Sequence, residues 1–112
     1  MRENKYQSGL IKRIKDRFPD SIVLKNDSAY KQGIPDLTVL NGERWAFLEV
    51  KKSEADFKKD FTPNQHYYID KANNMKGFGS FIFPENEQEV LDAMERSFQG
   101  SSRRSTRNLR SK

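Results

Sequence analysis

The chain has 112 residues, 34% hydrophobic and 33% charged, with a net charge of +5 and no cysteine. That length makes one domain with one core, and the missing cysteine excludes disulfides, thiolate zinc sites, iron–sulfur clusters and a Cys nucleophile. No apolar run approaches the ~20 residues of a membrane helix. The opening MRENKYQSGLIKRIK lacks the apolar stretch of a secretion signal, so a cytoplasmic protein without membrane contact is expected.

In chain order, Tyr6, Leu10, Ile11, Ile14 and Phe18 follow the spacing of one apolar helix face, and Pro19 ends the helix. Glu3 lies on that same side, an unusual place for a carboxylate. Ser21–Leu24 reads as a short strand and 28–33 as a polar loop. Ile34–Leu40 reads as a second strand with Pro35 near its start. Asn41-Gly42 is expected as a two-residue hairpin turn. Glu43–Lys51 is a third strand, with Trp45, Phe47, Glu49 and Lys51 on one face and Ala46, Leu48 and Val50 on the other. Both faces begin apolar, so this strand is expected to be central and covered on both sides. Ser53–Phe61 reads as a charged, mobile segment. Thr62 as N-cap and Pro63 at the first helical position start a helix from Asn64 to about Met75, which stops near Gly77. Gly79–Phe83 is a fourth strand. Asn86 caps a last helix with Val90, Leu91, Met94 and Phe98 on one stripe. The order α-β-β-β-α-β-α predicts an α/β (α+β) fold with a mixed sheet and helices on its faces.

The positive charge is unevenly placed. Residues 100–112 carry Arg103, Arg104, Arg107, Arg110 and Lys112 and no acid, which leaves 16 basic and 16 acidic residues in 1–99. A domain over 1–99 and a basic disordered tail over 100–112 are therefore expected. The tail reads either as an electrostatic arm for nucleic acid or as a solvated end.

Three residues that carry chemistry converge. A turn at Asn41-Gly42 would pair Leu40 with Glu43 and place Asp36 opposite Phe47, diagonal to Glu49 on one face, with Lys51 one step beyond. Two carboxylates so close repel, and a divalent cation resolves the conflict. Mg²⁺ is held by one or two carboxylates plus waters and phosphate oxygens, and an adjacent ammonium orients water or steadies developing negative charge. This set suits metal-dependent hydrolysis of a phosphodiester. Each residue alone is unremarkable, since Pro-Asp is common in turns and Glu-Val-Lys on strand ends. The combination across one hairpin is the signal. Lys52, Lys58 and Lys59 flank it, as phosphate contacts or as a solvated charged loop. His66, the sole histidine, reads as a partly exposed helix residue. Tyr67, Tyr68, Phe78 and Phe81 read as core rather than as a base-stacking surface. No Gly-rich phosphate loop is present, so no nucleotide cofactor is expected.

Gly33-Ile34-Pro35-Asp36 followed by Glu49-Val50-Lys51 resembles the signature of the PD-(D/E)XK nucleases. With Glu3 on the first helix and Pro63-Asn64-Gln65 later, the chain resembles the virus-type replication-repair nuclease (VRR-NUC) branch and its short stand-alone phage members, over about residues 2–98. The resemblance implies a restriction-endonuclease-like α-β-β-β-α-β core with a C-terminal helix. It implies that Asp36, Glu49 and the backbone carbonyl of Val50 hold Mg²⁺ or Mn²⁺. Lys51 would position water, Glu3 would add an acid, and Gln65 would touch the site. Either Glu3 or Gln7 fills the helix-one position, since both lie on one face. Related exonucleases carry Gln-x-x-x-Tyr. Here Ile69 stands at that spacing and Tyr68 one residue early, which argues against a processive, end-dependent enzyme. The function so implied is a metal-dependent DNA endonuclease, structure-specific on branched DNA such as Holliday junctions, acting in DNA repair as a phage or bacterial cytoplasmic homodimer. The alternatives are a non-catalytic nucleic-acid-binding module whose basic arm includes Arg103 and Arg104, and a nuclease acting on flaps or ends.

Overall fold

The i, i+4 spacing at the start of the chain winds helix α1, Glu3–Arg17, whose buried stripe is Tyr6, Gln7, Leu10 and Ile14. The structure is a computed structural model, and it describes residues 2–59 and 63–100. After α1 come β1 (Ile22–Lys25), β2 (Leu37–Asn41) and β3 (Arg44–Val50), then α2 (Glu54–Lys59), α3 (Pro63–Asn74), β4 (Phe78–Ile82) and α4 (Glu87–Gly100). The strands form one mixed sheet in the order β1-β2-β3-β4, with β3 and β4 parallel and the other pairs antiparallel. Strand β3 is thus central, as its two apolar faces predict. Among the described residues, no helix is long and apolar enough to cross a membrane.

Two cores sandwich the sheet. Ala46, Leu48 and Val50 of β3 pack with the stripes of α1 and α4, including Leu10, Ile14, Val90, Leu91, Met94 and Phe98. These α4 residues are the four expected from the sequence. Fully burying each large aliphatic contributes about 1.5–3 kcal/mol. On the other face Phe47 packs with Phe57, Ile69, Phe81 and Phe83, beneath α2 and α3. Arg13 pairs with Glu87 at 2.6 Å, and Arg17 with Asp92 and Glu95 at 2.6 Å each, so α1 and α4 are held in one register. The α2–α3 layer leaves part of the sheet uncovered. Ile22 and Leu24 of β1 and Leu40 of β2 share the face of Trp45 and Phe47, yet remain exposed.

Several expectations are corrected. The hairpin turn is Gly42-Glu43, because Asn41 pairs with Arg44. Gly42 has φ +61°, and glycine at the first central position suits a turn that needs positive φ there. Strand β2 starts at Leu37 rather than Ile34, because Pro35 lacks an N–H and Ile34 turns back to donate to the Lys31 carbonyl. Strand β1 begins one residue later than expected. The charged segment after β3 forms α2: Ser53 Oγ accepts the Asp56 N–H at 3.0 Å, and Phe57 anchors the helix on Phe81 and Phe83. Tyr67 is 55% exposed and is not core, whereas Phe81 is buried. The proposed cap Thr62 and the arginines of the tail lie outside the described residues.

Candidate active site

The turn correction moves the strand partners by two residues, so the faces are unchanged. Continued from Leu37↔Leu48, the register sets Asp36 directly opposite Glu49 rather than diagonal to it. The ladder ends there in an unusual way. The Asp36 backbone N–H donates to Glu49 Oε1 at 3.2 Å, and the Val50 N–H donates to Asp36 Oδ2 at 2.9 Å. The two carboxylates thus replace the backbone carbonyls of a last rung. They are held side by side at the end of the central strand.

Burial and backbone bonds fix this arrangement. Pro35 is fully buried. Asn26 holds the approach to Asp36: its backbone N–H donates to the Asp36 carbonyl at 2.8 Å, and its Nδ2 donates to the Pro35 carbonyl and to Thr38 Oγ1 at 2.9 Å each. Across the site, the Lys51 backbone N–H donates to the Ile82 carbonyl at 2.9 Å, continuing the parallel ladder beyond β3. Glu49 and Lys51 are each only 4% exposed.

Helix α3 closes the face through Gln65. Its Nε2 donates to Glu49 Oε2, and its Oε1 accepts from Lys51 Nζ at 3.2 Å. One amide therefore bridges the acid and the base, donating to one and accepting from the other. Burial pushes the Glu49 carboxyl up to about 8, with the Asp36 charge adding to the rise and Lys51 opposing it. Asp36 is also raised by burial, against the pull of the Val50 N–H and Lys51. Glu3, in the first turn of α1, is raised by burial and by the Asp36 charge. Its carboxylate also feels Lys51, Asp56 and Lys52, so the start of α1 lies within electrostatic reach of the pair. Gln7, one turn further along, is buried.

Asp36, Glu49, Lys51 and Gln65 are thus brought together, with Glu3 at their edge. Of the flanking lysines, Lys52 and Lys59 are exposed and Lys58 pairs with Glu54 at 3.1 Å. Arg103 and Arg104 lie outside the described residues. Asn26 was missed by sequence reasoning, although its place after a β-branched run and before the Pro-Asp loop was the available cue. His66 is half-buried against the Phe81 ring, at 4.8 Å between centroids.

Two carboxylates, waters and a phosphate oxygen form the donor set that Mg²⁺ or Mn²⁺ accepts. Among the described residues, no group of three or more His, Cys, Asp and Glu could hold a metal ion, so the arrangement does not suit a closed, all-protein site. The observation that fits a cation is the Glu49 carboxylate buried beside that of Asp36, where a positive charge would take the place of the proton that burial and Asp36 favour.

A mixed sheet flanked by helices, with an acid pair and a lysine at the end of its central strand, defines a restriction-endonuclease-like nuclease fold. A solved structure described as a VRR_NUC domain aligns with a TM-score of 0.56 and 25% identity, covering 80% of this chain and 95% of that one. The chain is thus similar in fold to a VRR-NUC domain, the branch its motifs resemble. No family model matches the sequence, and no curated protein matches it.

Proposed function

We propose that the chain is a divalent-metal-dependent DNA endonuclease that cuts branched DNA as a homodimer. The observation that carries this reading is the Asp36–Glu49 carboxylate pair, held by the Asp36 and Val50 N–H groups and joined through Gln65 to Lys51, on a VRR-NUC-like fold. Asp36 and Glu49, with the Val50 carbonyl, are the residues that would hold Mg²⁺ or Mn²⁺, and Glu3 would add a carboxylate from α1. When bound, the ion would supply charge neutralisation for the phosphodiester and acidify water.

The chain's own residues account for the rest. Lys51, with its ammonium held by Gln65, would orient the attacking water or face the charge that develops on the phosphate. Gln65 fixes Glu49 and Lys51 relative to one another, so the site is organised before substrate arrives. Lys52 and Lys59 would meet flanking phosphates. A two-fold dimer would present one site to each of two strands, which is what opposed cuts in a branched substrate require.

The test is cleavage of end-labelled duplex, single-strand, flap and four-way-junction DNA with Mg²⁺, Mn²⁺ or EDTA. Wild type is expected to cut in metal and not in EDTA, with the junction preferred. Glu49→Ala and Lys51→Met are expected to lower the rate at least about 100-fold, the scale of losing one charge-stabilising group. Cutting by Glu49→Ala at the wild-type rate would overturn the assignment. Salt-sensitive binding without cutting in any metal would instead support a non-catalytic module. A preference for ends would support the flap-acting alternative.

A further inference from the structure

Helix α3 does more than deliver Gln65. One turn along, Tyr68 is half-buried and Tyr67 is 55% exposed. Their rings meet edge to face at 5.2 Å, and the Lys71 ammonium lies 5.9 Å from the Tyr67 ring centre. Facing them is the loop that leads into Asp36. Lys31 and Gln32 of this loop, with Tyr67 and Tyr68, line a hollow of about 510 Å³. Gly33, with φ +84°, reverses the chain after Gln32, and the Ile34 N–H donates to the Lys31 carbonyl at 3.3 Å. The acid of the same loop, Asp27, accepts the Ala29 N–H at 2.9 Å. Tyr30, beside Lys31, is 82% exposed.

The hollow is therefore bounded by the two segments that carry Gln65 and Asp36. Its size is that of a small-ligand pocket. It has an aromatic wall, and lysines stand on both sides. Exposed tyrosines serve no core, and aromatic faces flanked by cations are how proteins hold unpaired bases. We infer that this hollow seats an unpaired nucleotide of single-stranded DNA next to the scissile phosphate. Its base stacks on Tyr67, and Lys31 and Lys71 face its phosphates. This inference rests on the nuclease reading for its choice of nucleic acid, and it adds that the enzyme holds a nucleotide unpaired at the branch point, beside the cut. Stacking of this kind is indifferent to base identity, so the hollow selects structure rather than sequence.

The test is fluorescence anisotropy in EDTA with labelled oligo(dT), oligo(U) and a blunt duplex, so that binding is read without cleavage. Tyr67→Ala is expected to weaken oligo(dT) binding about tenfold, the loss of one stacked base, and to leave duplex binding unchanged. Tyr67→Phe keeps the ring and is expected to keep the affinity. Lys31→Ala and Lys71→Ala are expected to flatten the salt dependence of oligo(dT) binding. Equal oligo(dT) affinity for Tyr67→Ala, Tyr68→Ala and wild type would overturn the inference, as would tighter binding of oligo(U) than of oligo(dT). The two readings separate cleanly. Cleavage lost in Glu49→Ala with no tyrosine effect on binding retains the nuclease and removes the base site. Tyrosine-dependent oligo(dT) binding with no cleavage in any metal does the reverse.

Discussion

Replacing Glu49 by glutamine should invert the stability order of variant and wild type between about pH 5 and about pH 9. The Glu49 carboxyl is pushed up to about 8 from its ordinary 4.5, by burial first and Asp36 second. Between those values the unfolded chain releases the proton that the folded chain keeps. The folded state then binds more protons, so this group lowers stability as pH rises. The penalty is absent below about pH 4.5 and complete above about pH 8. At 1.36 kcal/mol per pH unit the ceiling is about 5 kcal/mol. Asp36 shares the titration, so roughly half of that, about 2–3 kcal/mol, is the working figure. Glutamine removes the charge and keeps an oxygen for the Asp36 N–H, but its amide nitrogen meets the donor Nε2 of Gln65, which costs about 1 kcal/mol for one lost bond. Metal-free Glu49→Gln should therefore be about 1 kcal/mol less stable than wild type near pH 5 and about 1–2 kcal/mol more stable near pH 9. In a domain of this size that swing is about 10 °C in Tm. Circular dichroism melts in EDTA across the range measure it. Saturating Mg²⁺ at about pH 8 should raise the Tm of wild type and leave that of the variant in place. A gap that stays constant with pH, or wild type gaining on the variant as pH rises, would refute the reasoning.

Two further outcomes follow from packing. Asn26→Ala removes the side-chain bonds to Pro35 and Thr38 and should cost about 1–2 kcal/mol in urea unfolding, whereas an unchanged midpoint would mean the loop before Asp36 is held by other means. At Gly79 an added Cβ would stand 2.6 Å from the Ile69 carbonyl oxygen, a backbone atom that cannot swing aside. Gly79→Ala should therefore destabilise by about 2 kcal/mol and, by displacing α3 and Gln65, slow cleavage as well. A thermal melt within about 0.5 kcal/mol of wild type would show that α3 adjusts freely.

The acid pair was legible in the sequence because it is local. Asp36 and Glu49 lie on two arms of one hairpin, and strand alternation has a period of two. Misplacing the turn by one residue moved every partner by two, so Asp36 kept its face and changed only from diagonal to directly opposite. The helical stripes were legible for a similar reason, since Val90, Leu91, Met94 and Phe98 repeat over several turns. What was not legible rests on single polar side chains reaching backbone six to nine residues away. Asn26 binds Pro35, and Asn73 binds Gly79 through both its amide atoms. No periodicity marks such residues. Helix α2 was missed because it has six residues and one anchoring aromatic, Phe57, too few for an apolar pattern. Tyr67 was misassigned because an aromatic on an amphipathic helix reads as core until the neighbouring layer is known to stop short of it.

The central position of β3 bears on how the molecule breathes. Its amides sit between two strands and beneath two helical layers, so hydrogen exchange there should require global opening. Helix α3 packs on the sheet through one face and carries exposed Tyr67, with exposed Met75 just past its end, features of a segment that opens at lower free energy. Glu49 thus belongs to the slowest-exchanging part of the chain and Gln65 to a faster one. A partly opened molecule would keep its carboxylates in register while releasing the amide that ties them to Lys51.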